Sequence, residues 1–198
     1  MHKGFTLLET LVALGIGSIL ALGSGWLFVT TLRSSEIMTN QLTSQSDGRR
    51  VLQTIVNDVR RSAASSIGAF PIETAATSTL TLYANIDSDG LIERVRYFRE
   101  GQILRRGVTK PSGMPLQYLA SSESIVDIAN FVVNGAGTPI FTYFDESYLG
   151  SEPPIPEPVS TARIHLIRVF LELEKDIAKS PAPVRVESMV QVRNLKTN

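Results

Sequence analysis

Glu9 is the residue in this chain whose surroundings most demand an explanation. It stands directly before Thr10–Leu32, a stretch without Asp, Glu, Lys, Arg or Pro. At ~1.5 Å per residue such a helix is long enough to cross a ~30 Å hydrocarbon core. A carboxylate within or at the edge of such a segment costs up to about 3 kcal/mol on the more lenient insertion scale, unless it snorkels to the headgroups or meets a partner. A secretory signal peptide is the competing reading, but its apolar region usually runs only ~7–15 residues and carries no acid.

Other reactive groups are sparse. There is no cysteine, which excludes disulfides, thiolate metal sites and Cys nucleophiles. The two histidines are His2 and His165, and His165 lies in an alternating apolar run, where it reads as a partly buried structural residue. Asn85-Ile86-Asp87-Ser88-Asp89-Gly90 imitates the start of a calcium loop, but the twelfth position counted from Asn85 is Arg96, where an EF-hand needs a bidentate glutamate. The segment is expected to be a solvated hairpin turn, with Asp87 and Asp89 as weak metal candidates and no metal or cofactor expected. Lys+Arg and Asp+Glu both number 19, and the pairs Arg49-Arg50, Arg60-Arg61 and Arg105-Arg106 lack interleaved aromatics, so direct nucleic-acid binding is not expected. No phosphate loop, zinc motif or nucleophile elbow occurs, and the chain is not expected to be an enzyme.

The elements that carry these residues change character along the chain. Ala13, Gly17, Ala21 and Gly25 form a ridge of small residues at four-residue steps along the apolar segment, the pattern that permits close helix packing in membranes. Beyond Arg33, Ile37, Leu42, Leu52, Ile55, Val56, Val59 and Ala63 approximate the apolar face of an amphipathic helix, with Asp47, Arg49, Asn57, Asp58 and Arg60 elsewhere. Gly48 is expected to bend or weaken this helix, and Gly68 and Pro71 to end it. From Thr79 the pattern becomes short β-type runs: 79–83, 94–98, 102–105, a pair at 125–133 and 140–144 around Asn134-Gly135-Ala136-Gly137, then 165–173 and 184–192. The run Glu152–Pro158 is expected to be a stiff exposed excursion. One long helix followed by an antiparallel sheet is an α+β fold.

Lys3-Gly4-Phe5-Thr6-Leu7-Leu8-Glu9 followed by the apolar run resembles the class III signal of type IV pilins and type II secretion pseudopilins. The resemblance implies cleavage by prepilin peptidase between Gly4 and Phe5 on the cytoplasmic face, N-methylation of the new Phe5 terminus, and pairing of Glu9 with the terminal amine of a neighbouring subunit during assembly. It further implies a pilin-like fold, single-pass anchorage in the inner membrane with the rest of the chain exported, and incorporation into a filament by an inner-membrane platform driven by a separate motor. The expected divisions are a leader at 1–4, a transmembrane and assembly helix at 5–32, its amphipathic continuation at 33–68 and an exported β-rich part at 69–198. Many major pilins have proline at the position of Trp26, so a family-style kink is not expected there. Asn57-Asp58-Val59-Arg60-Arg61, Leu80–Tyr83, Asp87–Gly90, Val95-Arg96-Tyr97, Leu104-Arg105-Arg106 and Val192-Arg193-Asn194 are similar, in their order, to J-type minor pseudopilins and W-type minor pilins. These similarities imply a minor, tip-associated subunit. The alternative from a different class is an exported binding or enzymatic domain that uses the first helix only as a tether.

Overall fold

The computed structural model describes residues 4, 6–87, 89–176 and 182–192. The chain divides into two compact units, Met1–Leu42 and Thr43–Asn198. A single helix, α1 (Leu7–Arg60), contributes to both.

In the first unit every residue of α1 from Leu7 to Glu36 is exposed, as the apolar composition requires of a segment whose natural surroundings are lipid or other helices. The hydroxyls between Thr10 and Thr31 are satisfied within the helix. Ser18 donates to the Leu14 carbonyl at 2.7 Å, Ser24 to Leu20 at 2.9 Å, and Thr30 and Thr31 to Trp26 and Leu27 at 2.9 Å each. Such bonds remove the penalty of carrying a bare hydroxyl in hydrocarbon.

In the second unit Gly48, Val51, Leu52, Ile55, Val56 and Val59 make the buried face of α1, at the three- and four-residue spacing of one helical stripe. Two antiparallel sheets complete the unit. The first has the order β1-β2-β3-β4-β5, formed by β1 (Ile72–Ala75), β2 (Thr79–Ala84), β3 (Glu93–Glu100), β4 (Ile103–Thr109) and β5 (Ser124–Ala129). The second has the order β6-β7-β8, formed by β6 (Phe141–Phe144), β7 (Leu166–Leu173) and β8 (Val184–Gln191). Both feed one core, in which the helical stripe joins Leu80, Leu82, Val95, Tyr97 and Leu104 from the first sheet and Phe141, Ile167, Val169 and Leu171 from the second. The α+β expectation holds, with two sheets in place of one.

Several local expectations give way to tertiary contacts. Helix α1 passes through Gly48 without a break, and the glycine is there for contact: a Cβ on it would lie 2.8 Å from Val186 Cγ2 and 2.9 Å from Leu173 Cδ1. The helix ends at Arg60, ahead of Gly68, because β2 takes over the next backbone groups through a Ser62–Ala84 bridge and a 2.9 Å bond from the Ala63 amide to the Tyr83 carbonyl. Ala63 therefore leaves the helical stripe, and Leu42 is 61% exposed. Strand β1 is too short, and too close to Pro71, to register as a β run in the sequence.

The pair expected around Asn134 is not a hairpin. Strand β5 pairs with β4 and β6 with β7, so the segment between them crosses from one sheet to the other. Phe131 takes a left-handed φ of 62° at the start of this crossing, a conformation that β-branched and bulky side chains adopt at a cost. Buried Asn134 then pins it: its Nδ2 donates to Thr138 and Phe170 carbonyls at 2.9 and 3.0 Å, and its Oδ1 accepts the Glu172 amide at 2.9 Å. The proline-rich excursion is likewise tied down, with the Ile155 amide on the Tyr143 carbonyl at 2.8 Å and Glu157 accepting the Thr77 amide at 3.1 Å.

Substituting Gly48 by valine should lower the stability of the second unit by about 2 kcal/mol. The roughly 0.3–0.5 kcal/mol gained in helix propensity by replacing glycine with valine is outweighed by forcing a branched side chain against packed methyls. Chemical denaturation of the purified chain measures this; an unchanged midpoint would mean that Val186 and Leu173 yield freely.

Candidate functional site

The amino-terminal end of α1 is built as a reciprocal cap. Thr6 precedes the first helical residue, and its Oγ1 accepts the Glu9 amide at 3.3 Å, while Glu9 Oε2 accepts the Thr6 amide at 2.9 Å and the Thr6 hydroxyl at 3.0 Å. This is a capping box, in which two orphan amides of the first turn are satisfied and a carboxylate sits at the positive end of the helix. Thr10 adds a bond from its hydroxyl to the Leu7 carbonyl at 2.9 Å. Glu9 therefore has a role within its own chain that its costly location had concealed. Thr6 was not singled out from the sequence, although Thr6-Leu7-Leu8-Glu9 before an apolar run is the written signature of such a cap.

Gly4 is exposed, and a Cβ on it would meet nothing within 4 Å. Phe5, the expected site of cleavage and methylation, lies outside the described residues. Ala13, Gly17, Ala21 and Gly25 all lie exposed on α1, and among the described residues nothing beyond the adjoining helix backbone comes within 4 Å of a Cβ built on Gly17 or Gly25. These positions leave the helix backbone open to close approach.

Away from the helix end, the turn between β2 and β3 brings Asp87 and Asp89 to Lys110, whose ammonium bonds both carboxylates, the second at 3.3 Å. The bond from Lys110 holds the Asp87 carboxyl below the usual carboxylate range. His165 is half-buried just ahead of β7, with its Nε2 2.6 Å from the Gln191 amide nitrogen. Arg105 pairs with Asp127 at 2.9 Å on the exposed side of the sheet. Its neighbour Arg106 faces the other way. It reaches inward to Asp58, which is 6% exposed, through Nε and Nη2 at 2.9 and 2.8 Å, and the Tyr97 hydroxyl donates to the same oxygen at 2.5 Å. Burial, reinforced by the Asp58 charge, holds the Tyr97 phenol well above its ordinary range. This triad ties α1 to β3 and β4. Arg96 meets Glu123 in a two-bond pair at 2.8 and 2.7 Å over Gly107, where a Cβ would strike the carboxylate at 2.2 Å.

Residues 1–25 match the family described as the prokaryotic N-terminal methylation motif. That motif is the class III prepilin signal, which marks type IV pilins and pseudopilins. With the apolar helix that follows, the motif fits a single-pass, membrane-anchored chain and implies processing by prepilin peptidase and assembly with pilins. No curated protein matches the chain.

Proposed function

We propose that the chain is a minor, non-enzymatic subunit of a type IV filament or type II secretion pseudopilus, cleaved between Gly4 and Phe5 and methylated at Phe5. The observation that carries the pilin part of this reading is the methylation motif running directly into an exposed apolar helix. The minor assignment rests on the J-like and W-like order of short motifs in the exported part. In this reading Glu9 trades or shares its bond to Thr6 for the Phe5 amine of a neighbour, a charge-assisted contact that offsets the cost of an acid beside hydrocarbon. The ridge of Ala13, Gly17, Ala21 and Gly25 supports close packing of neighbouring helices, since small residues let backbones approach. A membrane platform and a separate cytoplasmic motor supply the work of assembly.

Gly4→Leu should leave the longer precursor in the membrane, because the peptidase must accept the backbone just before the scissile bond. Intact-mass measurement in cells with active peptidase should show loss of residues 1–4 and one added methyl on the wild type, and neither on the variant. Normal maturation of the variant would refute the cleavage site. A wild-type chain that keeps its leader would favour a simple tether. Recovery in sheared filaments at a small fraction of the main subunit tests the minor role, and recovery as the bulk subunit would refute it.

A further inference from the structure

We propose that the turn between β2 and β3 is a calcium site, with the carboxylates of Asp87, Asp89 and Glu93 as its anionic ligands. The acidic turn alone would not carry this. Glu93, at the first position of β3, carries the argument, because it is fully buried and one of its oxygens, Oε1, has no hydrogen-bond partner among the described residues. Its other oxygen accepts a neutral donor, the Ile86 amide at 3.0 Å. A buried carboxylate left in that state is costly, and a divalent cation is the partner that removes the cost.

The spacing fits the ion. One carboxylate oxygen from each of Asp87, Asp89 and Glu93 lies within 4.8 Å of the others. Calcium–oxygen distances of about 2.3–2.6 Å let two ligands of one ion stand up to about 5 Å apart, so the three can share a centre. With oxygen donors alone and no sulfur or imidazole, the set suits a hard cation, and three carboxylates that make no octahedron suit calcium better than the more exacting magnesium. Arg96, the residue that denies the turn an EF-hand's last ligand, is committed to Glu123 at 2.7 Å. Glu93 replaces that ligand from closer in the sequence.

The frame around Glu93 is fixed in advance. The next amide along, that of Ile92, donates to Ser66 Oγ at 2.9 Å, and the Ile92 carbonyl accepts the Tyr118 hydroxyl at 2.6 Å. The Leu91 amide donates to Asp89 at 2.9 Å and the Asp89 amide to Asp87 at 3.3 Å, curling the turn toward its carboxylates. Lys110 brings one positive charge to the two aspartates, and its side chain is 57% exposed. It is a competitor that can swing outward when a doubly charged ion binds.

Thermal unfolding of the full chain in detergent micelles, in millimolar CaCl2 against EGTA, tests the site. The wild type should melt higher in calcium by on the order of 5 °C. Glu93→Gln should lose that rise, and so should the double variant D87N/D89N on the exposed side of the turn, which keeps the test open if a change at buried Glu93 prevents folding. Lys110→Met should melt lower in EGTA and show a larger calcium rise, because the competing cation is gone. The proposal is overturned if the wild type melts alike in calcium and EGTA, if D87N/D89N keeps the full rise, or if MgCl2 reproduces it. A Lys110→Met chain that is destabilised and insensitive to calcium would identify the lysine as the cation the turn is built for, which also overturns it.

Discussion

Replacing Glu9 by glutamine should leave membrane insertion and cleavage after Gly4 intact and lower recovery of the chain in sheared filaments by about tenfold or more. Glutamine serves as well as glutamate in a capping box, so the bonds with Thr6, at 2.9 and 3.0 Å to Oε2 in the wild type, have a replacement acceptor. What glutamine cannot supply is the negative charge for a neighbour's terminal amine. Hydrogen bonds to charged groups contribute about 1.5–3 kcal/mol, and each 1.4 kcal/mol is a factor of ten in an equilibrium. Glu9→Leu should insert at least as well, since the acid is gone, but it removes the cap together with the charge. Comparing the two separates the roles. If glutamine assembles normally and leucine fails, Glu9 acts through its own helix end, and the intersubunit pairing is wrong. If both assemble normally at equal membrane level, Glu9 has neither role in assembly.

The second large effect is expected at Arg106. Arg106→Met removes the cation that holds Asp58 at 2.8 Å and leaves a buried carboxylate with the Tyr97 hydroxyl as its remaining bond in the triad. Breaking one side of a buried pair costs about 3–5 kcal/mol; with the Arg106 side chain still 18% accessible, about 3 kcal/mol is expected here. For a chain of this size that lowers the melting temperature by roughly 6–12 °C. Removing both partners with Asp58→Leu and Arg106→Met should recover most of the loss, since apolar replacement of an entire buried pair is often neutral. Denaturant melts of the single and double variants measure the coupling. Additive losses would show that the pair matters for side-chain volume and not for charge. Leader processing should be the same in all of these variants, because the triad lies far along the sequence from the cut.

The features written in short stretches of sequence were legible without a fold. The apolar run with its single acid, the glycine and phenylalanine at its head and the small-residue steps at Ala13, Gly17, Ala21 and Gly25 all depend on composition and near spacing, and the methylation motif matches the same stretch, residues 1–25. So did the helix-then-strands order, because the period of the apolar residues changes from that of a helix to that of strands. Even the cap at Thr6 and Glu9 was present as a four-residue signature, hidden by attention to the charge alone.

Tertiary structure decided whatever depended on partners distant in the chain. Gly48 reads locally as a weak point in a helix; only the approach of Val186 and Leu173, more than 120 residues onward, makes it a packing position. Asp58 and Arg106 read as solvated charges until β3 and β4 close on the helix and bury them together with Tyr97. Asn134 and Gly135 carry a hairpin signal, yet the strands on either side belong to different sheets, because pairing is set by which faces can be buried together. Glu93 is one more charged residue in an alternating strand. Its burial beside Asp87 and Asp89 comes from the register that sets it opposite Ala84, a fact of β2 and β3 together and not of either sequence alone.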